Sequence, residues 1–140
     1  MPKYMKSLNN ISRAQQIYRK QMSESDLPTH MFPFILFVCK NPGANQDEIG
    51  ADLCVSKSMV SRRIEWLLDN GYVTRFTDSE DKRCQRVNPT EKALLILPEI
   101  RRINREWMTL ISEGIDEDEL RIFEAVLTRL EAKAREVAKI

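Results

Sequence analysis

Residues 45 to 87 read NQDEIGADLCVSKSMVSRRIEWLLDNGYVTRFTDSEDKRCQRV, and the fold turns on how that stretch is parsed. Asn45 can cap a helix by accepting from its first turn, and Glu48 follows three residues later, as in a capping box. Ile49 and Leu53 point inward, and the helix ends near Cys54. Val55 is an apolar turn residue between two crossing helices. Ser56 caps the second helix, which runs to Asn70 with Gly71 as its stop. Val60, Ile64, Leu67 and Leu68 fall on one face of it. Lys57, Ser58, Met59, Ser61, Arg62 and Arg63 lie early or outward. Tyr72 to Thr77 has strand composition, Cys84 to Val87 can return antiparallel to it, and Asp78 to Arg83 makes a polar tip.

Helix, turn, helix and hairpin together make a winged helix-turn-helix. The second helix of such a unit can enter a major groove, where Ser, Lys and Arg donate to phosphates and to guanine, and Met59 can touch a thymine methyl. The hairpin tip can put an arginine into a narrow minor groove, where the potential is most negative. Arg83 suits that role. Asp81 can hold it by a charge-assisted bond, and Arg75 on the first strand can clamp Asp81. Taken alone, the basic helix is an ordinary solvated face and Asp81–Arg83 an ordinary surface pair.

Working outward, residues 3 to 22 look helical, with Leu8, Ile11, Ala14 or Gln15, Tyr18 and Met22 on one stripe. Met31 to Cys39 (MFPFILFVC) is the densest apolar run. It reads as a buried helix over about 29 to 40, started by Pro28 or Thr29 with Pro33 in its first turn; a strand is the competing reading. Beyond the hairpin, Thr90 can cap a long helix carrying Leu94, Leu97, Ile100, Ile103, Trp107, Leu110 and Ile111. Pro98 inside it should bend it or loosen a turn, and Gly114 ends it. Asp116 with Glu119 caps a last helix, whose stripe is Leu120, Phe123, Val126 or Leu127, Leu130, Ala134 and Val137. The terminal stripes cannot bury themselves, so two copies should pair through them. The fold class expected is mostly α with a small β-hairpin wing. One domain spans 1 to 140: the winged helix-turn-helix covers about 29 to 89, and dimerisation helices cover about 3 to 22 and 90 to 138.

Composition narrows the function classes. The chain has 140 residues, 42% hydrophobic and 31% charged, which suits a folded, helix-rich protein. No apolar run approaches the roughly 18 residues that span a membrane, and the N-terminus lacks an apolar signal core, so a cytoplasmic location is expected. Three widely spaced cysteines and one histidine give no disulfide framework, metal site or catalytic triad. With no phosphate loop either, an enzyme is not expected, nor a cofactor. Cys39 reads as a small buried hydrophobe and Cys54 as similar. Cys84 lies beside Lys82, Arg83 and Arg86, which suits an oxidant-responsive thiol, but no resolving cysteine is near in sequence. Net charge is only +1, low for a nucleic-acid binder. Its distribution is uneven: residues 1 to 22 carry five bases and no acid, residues 113 to 119 five acids and no base. A basic face can therefore survive a modest total, used twice over in a dimer.

The segment from Gln46 to Ala93, with Phe32 to Ile49 upstream and Ile96 to Trp107 downstream, resembles the MarR family of bacterial transcriptional regulators. The most specific part is the wing, Asp78-x-x-Asp81-Lys82-Arg83, followed by Thr90-Glu91-Lys92. The resemblance implies a homodimer whose two winged units read a palindrome in double-stranded DNA. It implies repression, relieved by a small phenolic or lipophilic effector or by cysteine oxidation. By position, Ser56, Lys57, Ser58, Ser61 and Arg62 fall on the groove-facing helix and Asp81 and Arg83 form the wing pair. Asn45 and Gln46 sit where a helix N-terminus meets phosphate. Two departures stand out: Cys54 replaces a common glycine before the turn valine, and Ala93 follows Lys92 where glycine is frequent. Tyr18, His30, Met31, Phe34, Phe37 and Trp107 are candidates for an effector pocket, although aromatics at helical spacing also serve as plain core. The alternative from another class is a winged-helix interaction module whose basic helix docks an acidic protein.

Overall fold

The computed structural model describes residues 2–140. Helix α1 spans Lys3–Met22, and a 3₁₀ turn at Thr29–Met31 leads into α2, Phe32–Lys40, with Pro33 in its first turn. Strand β1 is two residues, Ala44–Asn45. Helices α3 (Gln46–Leu53) and α4 (Lys57–Asp69) follow, then β2 (Val73–Thr77), β3 (Gln85–Pro89), α5 (Glu91–Ile111) and α6 (Glu117–Ala138). The apolar run at 31 to 39 is thus helical. Flanking helices bury it on several sides, and Phe32, Ile35 and Val38 are fully enclosed.

The sheet has three antiparallel strands in the order β1-β3-β2, one more than the expected hairpin. Asn45 pairs with Arg86 in it while capping α3, so the short strand and the cap share one residue. Across the wing, Arg75 faces Val87 and Thr77 faces Gln85.

The chain divides into two compact units, one reaching to Trp107 and the other Met108–Ile140. The first holds the core. Phe32, Ile35 and Val38 of α2, Ile49 of α3, Val60, Ile64 and Leu67 of α4, Val87 of β3, and Ile100 and Ile103 of α5 expose no surface. Leu68, expected among them, is only half-buried. Arg19 is the one buried residue of α1. Its Nε donates to Asn104 Oδ1 at 3.0 Å and its guanidinium lies 5.7 Å from the centre of the Phe32 ring. Burial lowers its pKa from the ordinary arginine value.

In the second unit, Gly114 takes φ +79° after α5, and Asp116 accepts from the Asp118 amide at 2.7 Å to start α6. Glu119 is not the partner in that cap. No residue of α6 is buried, and Ile122, Phe123, Val126, Leu130 and Val137 are exposed. The α5 stripe likewise divides: Leu97, Ile100 and Ile103 are buried, whereas Leu94, Leu110 and Ile111 are exposed. The helix runs on through Pro98.

Candidate nucleic-acid interface

The helix pair is fixed by its caps. Asn45 Oδ1 accepts from the Glu48 amide at 2.8 Å, and Ser56 Oγ accepts from the Met59 amide at 3.2 Å. Each satisfies an amide that the helix leaves unpaired. Cys54 closes α3 in the left-handed region, φ 55°, and the Val55 amide reaches back to the Gly50 carbonyl at 3.1 Å. That geometry favours glycine and puts a cysteine under strain. It explains what the departure at 54 does: the turn keeps its shape with a costlier residue. Gly50 is a position that sequence reading passed over. A Cβ there would meet the Val55 carbonyl oxygen at 3.1 Å and Val60 Cγ2 at 3.3 Å, so α3 and α4 approach too closely for a side chain.

The far end of α4 is tied as firmly. Gly71, φ +77°, donates to the Leu68 carbonyl and Tyr72 to the Leu67 carbonyl, the paired bonds of a Schellman stop. Two side chains from beyond the wing complete it. Thr90 Oγ1 donates to the Gly71 carbonyl at 2.6 Å, and Lys92 Nζ to the Asn70 carbonyl at 2.8 Å while lying 4.4 Å from the Tyr72 ring centre. Thr90 therefore donates to the end of α4 rather than capping α5 with its hydroxyl.

On the outward surface of α4, Lys57, Ser58, Ser61 and Arg62 are exposed and Met59 is half-buried. Lys57 Nζ lies 3.6 Å from Asp47, with both side chains in solvent, a pair that competes poorly with a stronger anion. Ser58 Oγ is 3.2 Å from Ser56 Oγ. Arg63 turns toward the start of α2, its Nη1 2.9 Å from His30 Nε2. Burial first, then the charges of Arg63 and Lys20, push the His30 imidazole below its ordinary pKa, which keeps it neutral and able to accept that bond.

The wing corrects two expectations. Arg75 does not clamp Asp81: its Nη1 bonds Glu65 Oε1 of α4 at 2.7 Å. Asp81 does not bond the Arg83 guanidinium either; its Oδ1 accepts from the Arg83 backbone amide at 3.0 Å and so shapes the tip. The reason is register. Strand pairing sets Arg75 beside α4, and the turn brings the backbone of Arg83, not its side chain, to Asp81. Among the described residues the Arg83 guanidinium makes no hydrogen bond or ion pair. Arg83 lines an open cleft of about 400 Å³ with Asn45, Gln46, Asp47, Asp81, Cys84 and Gln85. The cleft joins the start of α3 to the wing, so Asn45, Gln46, Asp81 and Arg83 do come together.

The effector candidates are not brought together. Met31 and Phe34 are buried in the core, with almost no free surface. His30 is exposed, in a polar hollow with Lys20, Ser23 and Asp26 among its walls. Phe37 borders a different groove, beside Arg19 and Leu53. Tyr18 and Trp107 pack with ring centres 5.3 Å apart and are half-buried. Of the cysteines, Cys39 is half-buried, and burial raises its thiol pKa, which makes it a poor thiolate. Cys54 is exposed and Cys84 half-buried. Among the described residues no group of three metal-ligating side chains converges, and no helix is long and apolar enough to cross a membrane.

The MarR family model matches residues 36–85, from within α2 to the start of β3. An uncharacterized HTH-type transcriptional regulator of Bacillus subtilis, YybA, is 23% identical over 127 residues, covering 90% of this chain and 85% of its own. A solved MarR transcriptional regulator of Methanosarcina mazei is 27% identical, covers 97% of this chain and 99% of its own, and superposes with a TM-score of 0.86. A Listeria monocytogenes regulator solved with a 26mer DNA has the same fold, with a TM-score of 0.90 at 23% identity over 97% of this chain and 91% of its own. Helix caps, crossing helices, three-stranded wing and sequence match agree: the chain has a winged helix-turn-helix whose residues 36–85 match the MarR family model, and its fold is that of solved MarR transcriptional regulators.

Proposed function

We propose that the protein is a repressor that binds a palindromic operator as a homodimer and is released by a small phenolic or lipophilic effector. The observation that carries the DNA reading is the division of labour among its basic side chains. Arg75 and Arg86 are each bonded at 2.7 Å to a carboxylate of the chain, whereas Lys57 pairs only loosely with Asp47 at 3.6 Å and Arg62 and Arg83 stand exposed on α4 and the wing. Ser56, Lys57, Ser58, Met59, Ser61 and Arg62 meet the major groove, with Arg63 at the edge of that surface beside His30. Asn45 and Gln46 meet a phosphate at the start of α3, and Arg83 enters the minor groove. The DNA-bound Listeria regulator of the same fold supports this reading.

The homodimer rests on the uncovered apolar faces of α1 and α6, where Ile11, Ile17, Phe123 and Leu130 stand exposed. The effector then sits beside the half-exposed Tyr18–Trp107 pair, in a seat that a second copy helps to complete, and the complex works in the cytoplasm. Selection of bound fragments from the organism's own DNA tests the function. A site with two-fold symmetry is expected, and Arg83→Ala should bind it more weakly by about 1–3 kcal/mol. Recovery of no preferred site, or undiminished affinity at fixed salt, contradicts the reading.

A further inference from the structure

Arg86 is the most heavily committed base in the wing. It sits on the central strand β3, between Asn45 on β1 and Phe76 on β2. Its Nε donates to Asp78 Oδ2 at 2.7 Å and its Nη1 to the Gly43 carbonyl at 2.8 Å. Gly43, φ +84°, in turn donates its amide to the Val87 carbonyl at 2.9 Å. The side chain therefore joins the turn after α2, the central strand and the first residue of the wing loop.

Asp78 passes that anchorage on. Its second oxygen, Oδ1, accepts from the Glu80 amide at 2.8 Å, and its own amide donates to the Cys84 carbonyl at 2.9 Å. Cys84 donates to the Asp81 carbonyl, and Asp81 Oδ1 holds the Arg83 amide. An unbroken series of hydrogen bonds runs from Gly43 through Arg86 and Asp78 to the backbone of Arg83. Amide and guanidinium bonds hold the Asp78 carboxyl below its ordinary pKa, and Asp78 raises that of Arg86, so both stay charged across the neutral range. The titratable groups facing Arg86 are Asp78 and, more weakly, Cys84 and Glu48.

We propose that Arg86 is a positioning residue that sets where the wing tip presents Arg83, and does not itself touch DNA. This rests on the DNA-binding reading above. With its Nε and Nη1 both held by acceptors of the fold, the guanidinium is anchored to the wing rather than extended toward a base edge. Without it, Asp78 loses its side-chain partner, and the seven-residue loop between the strands is held only by its own turn bonds.

The test is a double-mutant cycle with the full chain, using the tightest 26-base-pair duplex that the wild type recovers from a random library. Arg86→Gln should weaken binding about fivefold or more, and Arg86→Lys, which can reach one acceptor, should restore part of it. In an Arg83→Ala background the same Arg86→Gln change should cost almost nothing, because the two act in series. A full additive loss there, or no loss in the wild-type background, overturns the proposal. Amide hydrogen exchange of the free protein separates the strut from the function. Arg86→Gln should speed exchange at Arg83 and Cys84 while leaving the helices unchanged. If the wild type binds no duplex, the DNA reading fails and the strut is still judged by exchange. Unaltered exchange at those two amides overturns it.

Discussion

The reading unit and the last helix differ in how far each completes itself. From α3 to β3 every helix end is met by a cap or a side chain, and the apolar positions of α4 that face inward expose nothing. Helix α6 has an equally regular apolar stripe and buries none of it. Its ion pairs, such as Arg121–Asp118 and Lys133–Glu136, are exposed and contribute little. A long helix with such a face is held chiefly by tertiary packing, so α6 needs a partner surface where the reading unit does not. One region carries its information in contacts within the chain. The other carries it in what remains uncovered.

The largest effect should come from breaking the uncovered side. The double substitution Phe123→Asp and Leu130→Asp removes two apolar side chains per protomer, each contributing on the order of 1.5–3 kcal/mol if buried in a dimer. Sedimentation at micromolar concentration should show a dimer for the wild type and a monomer for the variant. A wild-type monomer would mean that α6 is covered in some other way. Next in size is Gly50→Val, which drives a branched side chain against the Val55 carbonyl and Val60. Denaturant unfolding should show a loss of about 1–3 kcal/mol. An unchanged midpoint would show that the α3–α4 crossing is looser than its contacts suggest.

The smallest effect is a pH dependence at His30. Its folded pKa lies below the unfolded value, so between the two the unfolded chain binds more protons. Stability should therefore fall as pH drops through the region just under the ordinary histidine pKa, and His30→Gln should flatten that part of the profile. An identical profile for both proteins would remove the His30–Arg63 contact from the account.

How much of this was legible in the sequence follows from how local each signal is. Asn45, Ser56 and Gly71 act within four residues of themselves, and their type at a helix boundary is enough to read them. The wing was legible as a hairpin with a charged tip for the same reason. The partners of Arg75 and Arg86 were not, because a strand side chain meets whatever the register and the neighbouring helix bring to it. Asp78 and Arg86 flank the hairpin tip, and a diagonal pair across it was the available clue. Strand β1 escaped notice because Asn45 already had a role as a cap. Met31 and Phe34 share the spacing of core residues, and core is where they lie.

The central claim is that α4 and the wing form a nucleic-acid surface, and a salt titration of binding to the selected duplex tests it most directly. Phosphate contacts by several lysines and arginines release counterions, so the logarithm of the binding constant should fall linearly with the logarithm of salt concentration, by about 0.9 per phosphate neutralised. Arg83→Ala should make that slope shallower by about one per protomer. Binding insensitive to salt would contradict the account and favour a basic helix that docks an acidic protein.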